Sequence, residues 1–122
     1  MVTTKEEMAM NHVVHWEIGG RDLDALAAFY EELFGWKSSS FDPDYRLVEA
    51  DEGVGGGLMR CRDDMPAYVT IYVEVDDLSA SLAAAERLGG TPLLPPTPIP
   101  GVGEFALLSD PEGNTIGILH PA

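Results

Sequence analysis

Val14-His15-Trp16-Glu17-Ile18 is followed, 55 residues further along the chain, by Val69-Thr70-Ile71-Tyr72-Val73, which alternates apolar and less apolar side chains in the same way. Asp22-Leu23 and Asp77-Leu78 follow the two stretches at that same offset. Alternation in a strand places successive side chains on opposite faces of a sheet. Each stretch therefore predicts a strand with one apolar face against a helix and one face that carries functional groups. The duplication predicts two related modules that share a cleft.

Each predicted strand leads into a short amphipathic helix. Leucines and alanines recur at helical spacing over about residues 22–34, with Asp22 as N-cap and Gly35 at the end. The second helix is predicted over about residues 78–88, with Asp76 or Asp77 as N-cap and Gly89-Gly90 at its end. Helices of about three turns need a sheet to pack on, so each module is expected to be a mixed α and β unit.

Further strands follow each helix, and they read as hairpins with glycine-containing turns. The first module has extended segments at residues 37–41, 45–50 and 54–60, and the second has them at 91–94, 105–109 and 114–120. The unit is therefore β-α-β-β-β, present twice. The segment Thr91–Gly103 contains five prolines, which exclude a central strand and favour a stiff extended loop. That loop either shapes the mouth of a cleft or acts as a rigid connector.

Length and charge limit the classes of function. A chain of 122 residues predicts one domain at residues 12–122, with modules at 12–62 and 66–121 after a polar leader at 1–11. The net charge of −14 argues against nucleic acid and anionic membranes as partners. It would favour a cationic ligand by steering, but the preferred interpretation is solubility or a salt-rich habitat. The single cysteine, Cys61, excludes an intrachain disulfide, and we expect a cytoplasmic protein.

The paired modules resemble the vicinal-oxygen-chelate superfamily, which includes lactoylglutathione lyases (glyoxalases), bleomycin-resistance proteins and extradiol dioxygenases. The resemblance implies an α+β fold in which two tandem βαβββ modules form a curved-sheet cleft, and it implies a homodimer. It covers nearly the whole chain after residue 12. It rests on Asp22-Leu23, Phe29-Tyr30 and Leu33-Phe34-Gly35-Trp36 in the first half, and on Glu74-Val75-Asp76-Asp77-Leu78, Leu88-Gly89-Gly90 and Asp110-Pro111-Glu112-Gly113-Asn114 in the second.

The resemblance also implies four metal-ligand positions, one on the first strand and one on the last strand of each module. They fall on His15, Gly57, Thr70 and Gly117. Only His15 matches, whereas a catalytic metal normally needs about three protein ligands. We therefore predict no metal and no cofactor. The alternative is a lyase or dioxygenase that holds a divalent metal through His15 and a nonstandard set drawn from Glu17, Glu74 or His120.

A small-molecule site on the polar faces of the two duplicated strands is the favoured prediction. Glycine inside a strand sacrifices packing, so Gly57 and Gly117 are interpreted as leaving room for a ligand, with a bulge or bend as the alternative. His15 and Glu17 lie two residues apart and are candidate acid/base residues, or ligand contacts without chemistry. The predicted ligand-binding residues are His15, Glu17, Gly57, Thr70, Tyr72, Glu74 and Gly117.

The predicted function is binding of a small organic molecule without a metal, for example sequestration of a toxic compound as in the bleomycin-resistance relatives. A metal-dependent lyase or dioxygenase is the second hypothesis. An accessory protein whose dimer surface is its function is the third.

Overall fold

The computed structural model describes residues 10–122, so the predicted leader at 1–11 lies almost wholly outside the described residues. The chain divides into two compact units. One is Val14–Tyr72, and the other is Val73–Ala122 together with residues 10–13. Each unit has one helix and its own strands, so the predicted α+β class is confirmed. Neither helix of residues 10–122 is long and apolar enough to cross a membrane.

The first unit has one helix and five strands in the spatial order β2-β3-β4-β1-β5. Strand β1 begins one residue before the unit, and strand β5 ends two residues after it. Strands β1 and β4 are parallel, and β3 is antiparallel to both β2 and β4. The elements are β1 (Val13–Gly20), α1 (Leu23–Phe34), β2 (Ser38–Asp42), β3 (Tyr45–Val48), β4 (Gly56–Arg60) and β5 (Tyr68–Glu74).

Helix α1 forms where the sequence predicts it, because both of its ends are capped. The Asp22 carboxylate accepts the backbone N–H of Ala25 at 3.0 Å, and Gly35 adopts φ 71°, which favours glycine. The helix packs its apolar face on the sheet. Buried Leu23 and Ala27 meet Val48 and Leu58, and the even residues of β1, Trp16 and Ile18, join this core as predicted.

The prediction for the faces of β5 is wrong at its first residues. Val69 and Ile71, expected against a helix, are 72% and 36% exposed, whereas Thr70 and Tyr72 on the opposite face are buried. Alternation along the strand holds, but burial is reversed. The reason is that Tyr72 reaches Glu17 on β1. Leu78 and Leu82 of the helix that follows pack instead on Val75, beyond the end of the strand.

The second unit has helix α2 (Leu78–Arg87) and three antiparallel strands in the order β8-β7-β6. The strands are β6 (Thr91–Ile99), β7 (Gly103–Ser109) and β8 (Thr115–Pro121). Asp77 caps the helix by accepting the Ala80 N–H at 3.0 Å, as predicted. The core of the unit contains Val75, Leu78, Leu82, Ala106 and Ile118.

The proline-rich segment forms a strand where a loop was expected. Strand β6 extends to Ile99 and pairs with β7 with register shifts on either side of Leu94. Its place in the sheet explains why prolines are tolerated. Strand β6 is at the edge, where one side of the backbone needs no donor. The expectation that prolines exclude a central strand is therefore consistent with the structure.

Candidate functional site

A buried carboxylate lies at the centre of the first unit, on the face of the sheet opposite α1. Glu17 is 7% exposed. Its Oε1 accepts the hydroxyl of Tyr45 at 2.9 Å, and its Oε2 accepts the hydroxyl of Tyr68 at 2.5 Å and that of Tyr72 at 3.4 Å. The carboxylate on β1 is thus held by phenols from β3 and β5. We call Glu17, Tyr45, Tyr68, Tyr72 and His15 the phenol–carboxylate cluster.

His15 extends the cluster by one further hydrogen bond. Its Nε2 lies 2.7 Å from the Tyr45 hydroxyl oxygen. A phenol has a single hydrogen, and that of Tyr45 is directed to Glu17, so the Tyr45 oxygen accepts and His15 Nε2 donates. The arrangement fixes the tautomer of the imidazole. The three side chains form a continuous line of hydrogen bonds from a half-buried imidazole to a buried carboxylate.

Gly57 makes space for a tyrosine of the protein itself. It is the register partner of Glu17 on β4, and the Tyr45 ring lies over it from the next strand. A Cβ added at Gly57 would overlap the phenol group of Tyr45. The interpretation that Gly57 leaves room for a ligand is therefore wrong at the Cβ position, because that room is filled. Aromatic rings that cover glycines across a sheet are a recurrent packing device.

Gly19 serves the second tyrosine in the same way. It follows Glu17 by two residues and so shares its face of β1, and a Cβ added there would overlap the ring of Tyr68. The Tyr68 hydroxyl also lies 3.1 Å from the Met59 sulfur. The absence of a side chain at two strand glycines thus leaves space for two tyrosine rings, and the hydroxyls of both rings donate to one carboxylate.

Burial and the nearby carboxylate together set the protonation states of the three tyrosines and of His15. Burial, reinforced by the adjacent Glu17, raises the pKa of all three tyrosines far above the ordinary value, so they remain hydrogen-bond donors. Burial also lowers the pKa of His15, and the opposing attraction of Glu17 offsets this only in part. At neutral pH the imidazole is therefore neutral and does not supply a positive charge to Glu17.

Three of the seven predicted ligand-binding residues, His15, Glu17 and Tyr72, meet in the cluster. Thr70 is buried on the same face of β5. Glu74 and Gly117 belong to the second unit, where Glu74 is exposed and Gly117 is buried opposite Leu107. Their roles stay predictions.

Tyr45 and Tyr68 were missed by the sequence analysis. Tyr68 could have been found, because it is four residues before Tyr72 and so shares its face of β5. Tyr45 has no such signal, because its position diagonally across the hairpin from Gly57 depends on the register of β3 and β4.

The family's metal-ligand positions do not fit a metal in this chain. Gly57 and Gly117 have no side-chain donor, and Thr70 has only a hydroxyl. His15, the one matching residue, has its Nε2 bonded to Tyr45. Within residues 10–122 no group of three or more His, Cys, Asp or Glu side chains is arranged to hold a metal ion. His120, proposed for a nonstandard set, has its Nδ1 3.0 Å from the Val75 carbonyl oxygen.

Comparison with known proteins places residues 15–119 within the model of the glyoxalase-like domain family. The chain is 38% identical to the protein named "Putative glyoxylase CFP32" of Mycobacterium tuberculosis, over 81% of this chain and 40% of that protein. It is 28% identical to the anthracycline biosynthesis protein DnrV of Streptomyces peucetius, over 84% of this chain and 44% of that protein. The chain thus spans about two fifths of the length of these relatives.

The fold is shared with a solved glyoxalase/bleomycin resistance protein/dioxygenase superfamily member from Vibrio splendidus. That structure matches with a TM-score of 0.66 and 15% identity, over 91% of this chain and 99% of the other. Identity at this level carries the fold and not the function. The family model covers most of the chain, and it shows that the chain belongs to the glyoxalase-like domain family.

Proposed function

We propose that this protein binds a small organic molecule at the phenol–carboxylate cluster and does so without a protein-bound metal. The observation that carries the proposal is the convergence of three tyrosine hydroxyls on the buried Glu17 carboxylate. Glu17 lies two residues from the one position that matches a metal ligand of the family. The proposed site thus lies beside the family's metal-ligand position, and hydroxyls and a carboxylate take the place of a metal there.

A purely structural role is a poor account of this cluster. A buried carboxylate loses its hydration, and an apolar side chain of similar volume is commonly as stable or more stable at such a position. Strand glycines at 19 and 57 each sacrifice about 0.5–1 kcal/mol relative to alanine. A buried carboxylate and two strand glycines are each locally unfavourable, and such residues grouped at one place are typical of a functional site.

The cluster offers a ligand both donors and acceptors. The His15 imidazole, half-buried and neutral, has a second nitrogen beyond the one that faces Tyr45. Glu17 Oε1 accepts one phenol, whereas Oε2 accepts two. The line from His15 through Tyr45 to Glu17 also provides a path for a proton, so the same site supports acid/base chemistry if the ligand is a substrate. The names of the relatives, a glyoxylase and an anthracycline biosynthesis protein, are compatible with a small organic ligand.

Screening by two-dimensional ¹H–¹⁵N NMR with a fragment library of aromatic amines, acids and neutral amides tests the proposal. We expect saturable shifts centred on the amides of His15, Glu17 and Tyr68. Tyr45→Phe, which removes one hydroxyl and keeps the ring, should weaken those fragments. Tyr30→Phe is the matched control, because Tyr30 packs in the aromatic group around Trp36 on the helix side of the sheet. Shifts that map only outside the cluster would overturn the proposal.

Metal dependence is a separate arm of the same test. Fragment binding is measured after dialysis against a chelator and again with added Mn²⁺, Ni²⁺ or Zn²⁺. We expect unchanged affinity in each case. Binding that requires the metal and is lost in His15→Ala would favour the metal-dependent lyase or dioxygenase alternative.

A further inference from the structure

We infer that the ligand of the phenol–carboxylate cluster is an organic cation, a protonated or quaternary amine whose charge is bound by Glu17. This rests on the proposed function and specifies its ligand class. Three observations carry it: the described part of the chain places no counter-charge at Glu17, aromatic rings surround the carboxylate, and the whole chain is strongly negative.

Glu17 is buried, and none of the residues that the structure describes gives it a cationic partner. Among the described residues, the ion pairs join Asp44 to Arg60 and Arg62, and none reaches Glu17. Its hydrogen-bond partners are all neutral phenols. A buried carboxylate is normally matched by a positive charge, and within residues 10–122 Glu17 is matched by hydroxyl dipoles alone. The site is complementary in charge to a cation that the described chain does not provide.

The surroundings of Glu17 suit an ammonium group in particular. Ammonium groups are bound by carboxylates together with aromatic rings, whose faces are negative. The Tyr45 and His15 rings lie 6.4 Å apart at an interplanar angle of 17°, and Tyr72 meets His15 edge-on at 5.7 Å. The hydroxyl donors already directed at Glu17 hold the carboxylate in place, which leaves an acceptor position on Oε1 for a ligand N–H.

The rest of the chain adds attraction over a longer range. The net charge of −14 raises the local concentration of organic cations around the protein and repels anions. This long-range attraction weakens as salt screens it, whereas a contact with the buried carboxylate is screened much less. Attraction by the whole surface and attraction by Glu17 can therefore be separated by how strongly ligand binding depends on salt concentration.

Two probe pairs that differ in charge on the same skeleton test the inference on the full chain. The first pair is benzylamine and benzyl alcohol, and the second is daunorubicin and its N-acetyl derivative. NMR shifts are followed for the small probes and fluorescence quenching for the large ones. We expect the amine of at least one pair to bind about tenfold or more tighter than its neutral partner, as a charge-assisted hydrogen bond predicts.

The variant Glu17→Gln should abolish that preference, because it keeps the shape and removes the charge. Glu52→Gln is the matched control, since it removes one exposed charge from the same unit and should leave the preference intact. Retained NMR dispersion and retained binding of a neutral fragment show that Glu17→Gln is folded.

The outcomes separate the inference from the function on which it rests. Equal binding of both partners in each pair, or equal losses in Glu17→Gln and Glu52→Gln, overturns the cation assignment and leaves the proposed function standing. Neutral or anionic library fragments that shift the cluster while neither amine does so have the same effect. A library that shifts no residue of the cluster overturns the proposed function itself.

Discussion

Replacing Gly57 by alanine is expected to destabilise the protein, although alanine is ordinarily the better residue in a strand. The added Cβ would overlap the Tyr45 phenol group, which cannot move freely because it is hydrogen-bonded to His15 and Glu17. Overpacking of this kind costs about 1–3 kcal/mol, and a lost hydrogen bond to a buried carboxylate about 1–3 kcal/mol more. We therefore expect the free energy of unfolding to fall by about 2–6 kcal/mol.

A double-mutant cycle in urea, followed by circular dichroism, isolates the cause. In a Tyr45→Ala background the same Gly57→Ala change meets no ring, so it should be neutral or stabilise by about 0.5–1 kcal/mol. The sign of the effect is therefore expected to reverse between the two backgrounds. An equal loss in both backgrounds, or no loss in the wild-type background, would refute the conclusion that Gly57 leaves space for the Tyr45 ring.

Three further outcomes follow from single contacts. Tyr68→Phe removes a donor from Glu17 and should lower the free energy of unfolding by about 1–3 kcal/mol in urea titration; no change would mean that the hydroxyl is dispensable. Asp22→Ala and Asp77→Ala each remove an N-cap and should each lower it by about 1 kcal/mol in the same assay, with Asn at either position retaining most of the stability. Because folding lowers the pKa of His15, stability is retained above its unfolded value of 6.5 and is lost as pH falls below it. Between pH 7.5 and pH 5.5 the melting temperature should therefore fall less for His15→Gln than for the wild type. Equal falls would contradict a lowered pKa of His15 in the folded protein.

The duplicated stretches allowed the elements to be predicted because their signals are local. Asp22 and Asp77 cap their helices, and the even residues of β1 enter the core, since capping and alternation depend on a few neighbouring residues. The same reasoning failed for Val69 and Ile71. Their burial depends on which element covers the strand, which is a property of the whole unit.

Part of the candidate site could be predicted because some of its residues also give local signals in the sequence. His15, Glu17 and Tyr72 are visible as polar residues of two related strands, whereas Tyr45 comes from a hairpin and carries no sequence mark of its own. Its contact with Glu17 depends on the register of β3, β4 and β1. Gly57 did signal that something large lies on the sheet there, but a glycine does not distinguish a ligand from a side chain of the protein.

Under the proposed function, phenols take the place of a metal at this site, and this has a consequence for how the site responds to a ligand. A metal ligand must give up its proton or remain neutral, and the metal's charge then sets the pKa of everything around it. In this chain the Glu17 carboxylate is instead stabilised by dipoles, and those dipoles are side chains with rotatable hydroxyls. A cation arriving at Glu17 would relieve the tyrosines of part of that role, which would allow a hydroxyl to turn towards the ligand. Ligand binding and rearrangement of the Tyr45 hydrogen bonds are thus expected to be coupled, and His15, bonded to the same phenol, would report the change in its NMR shift.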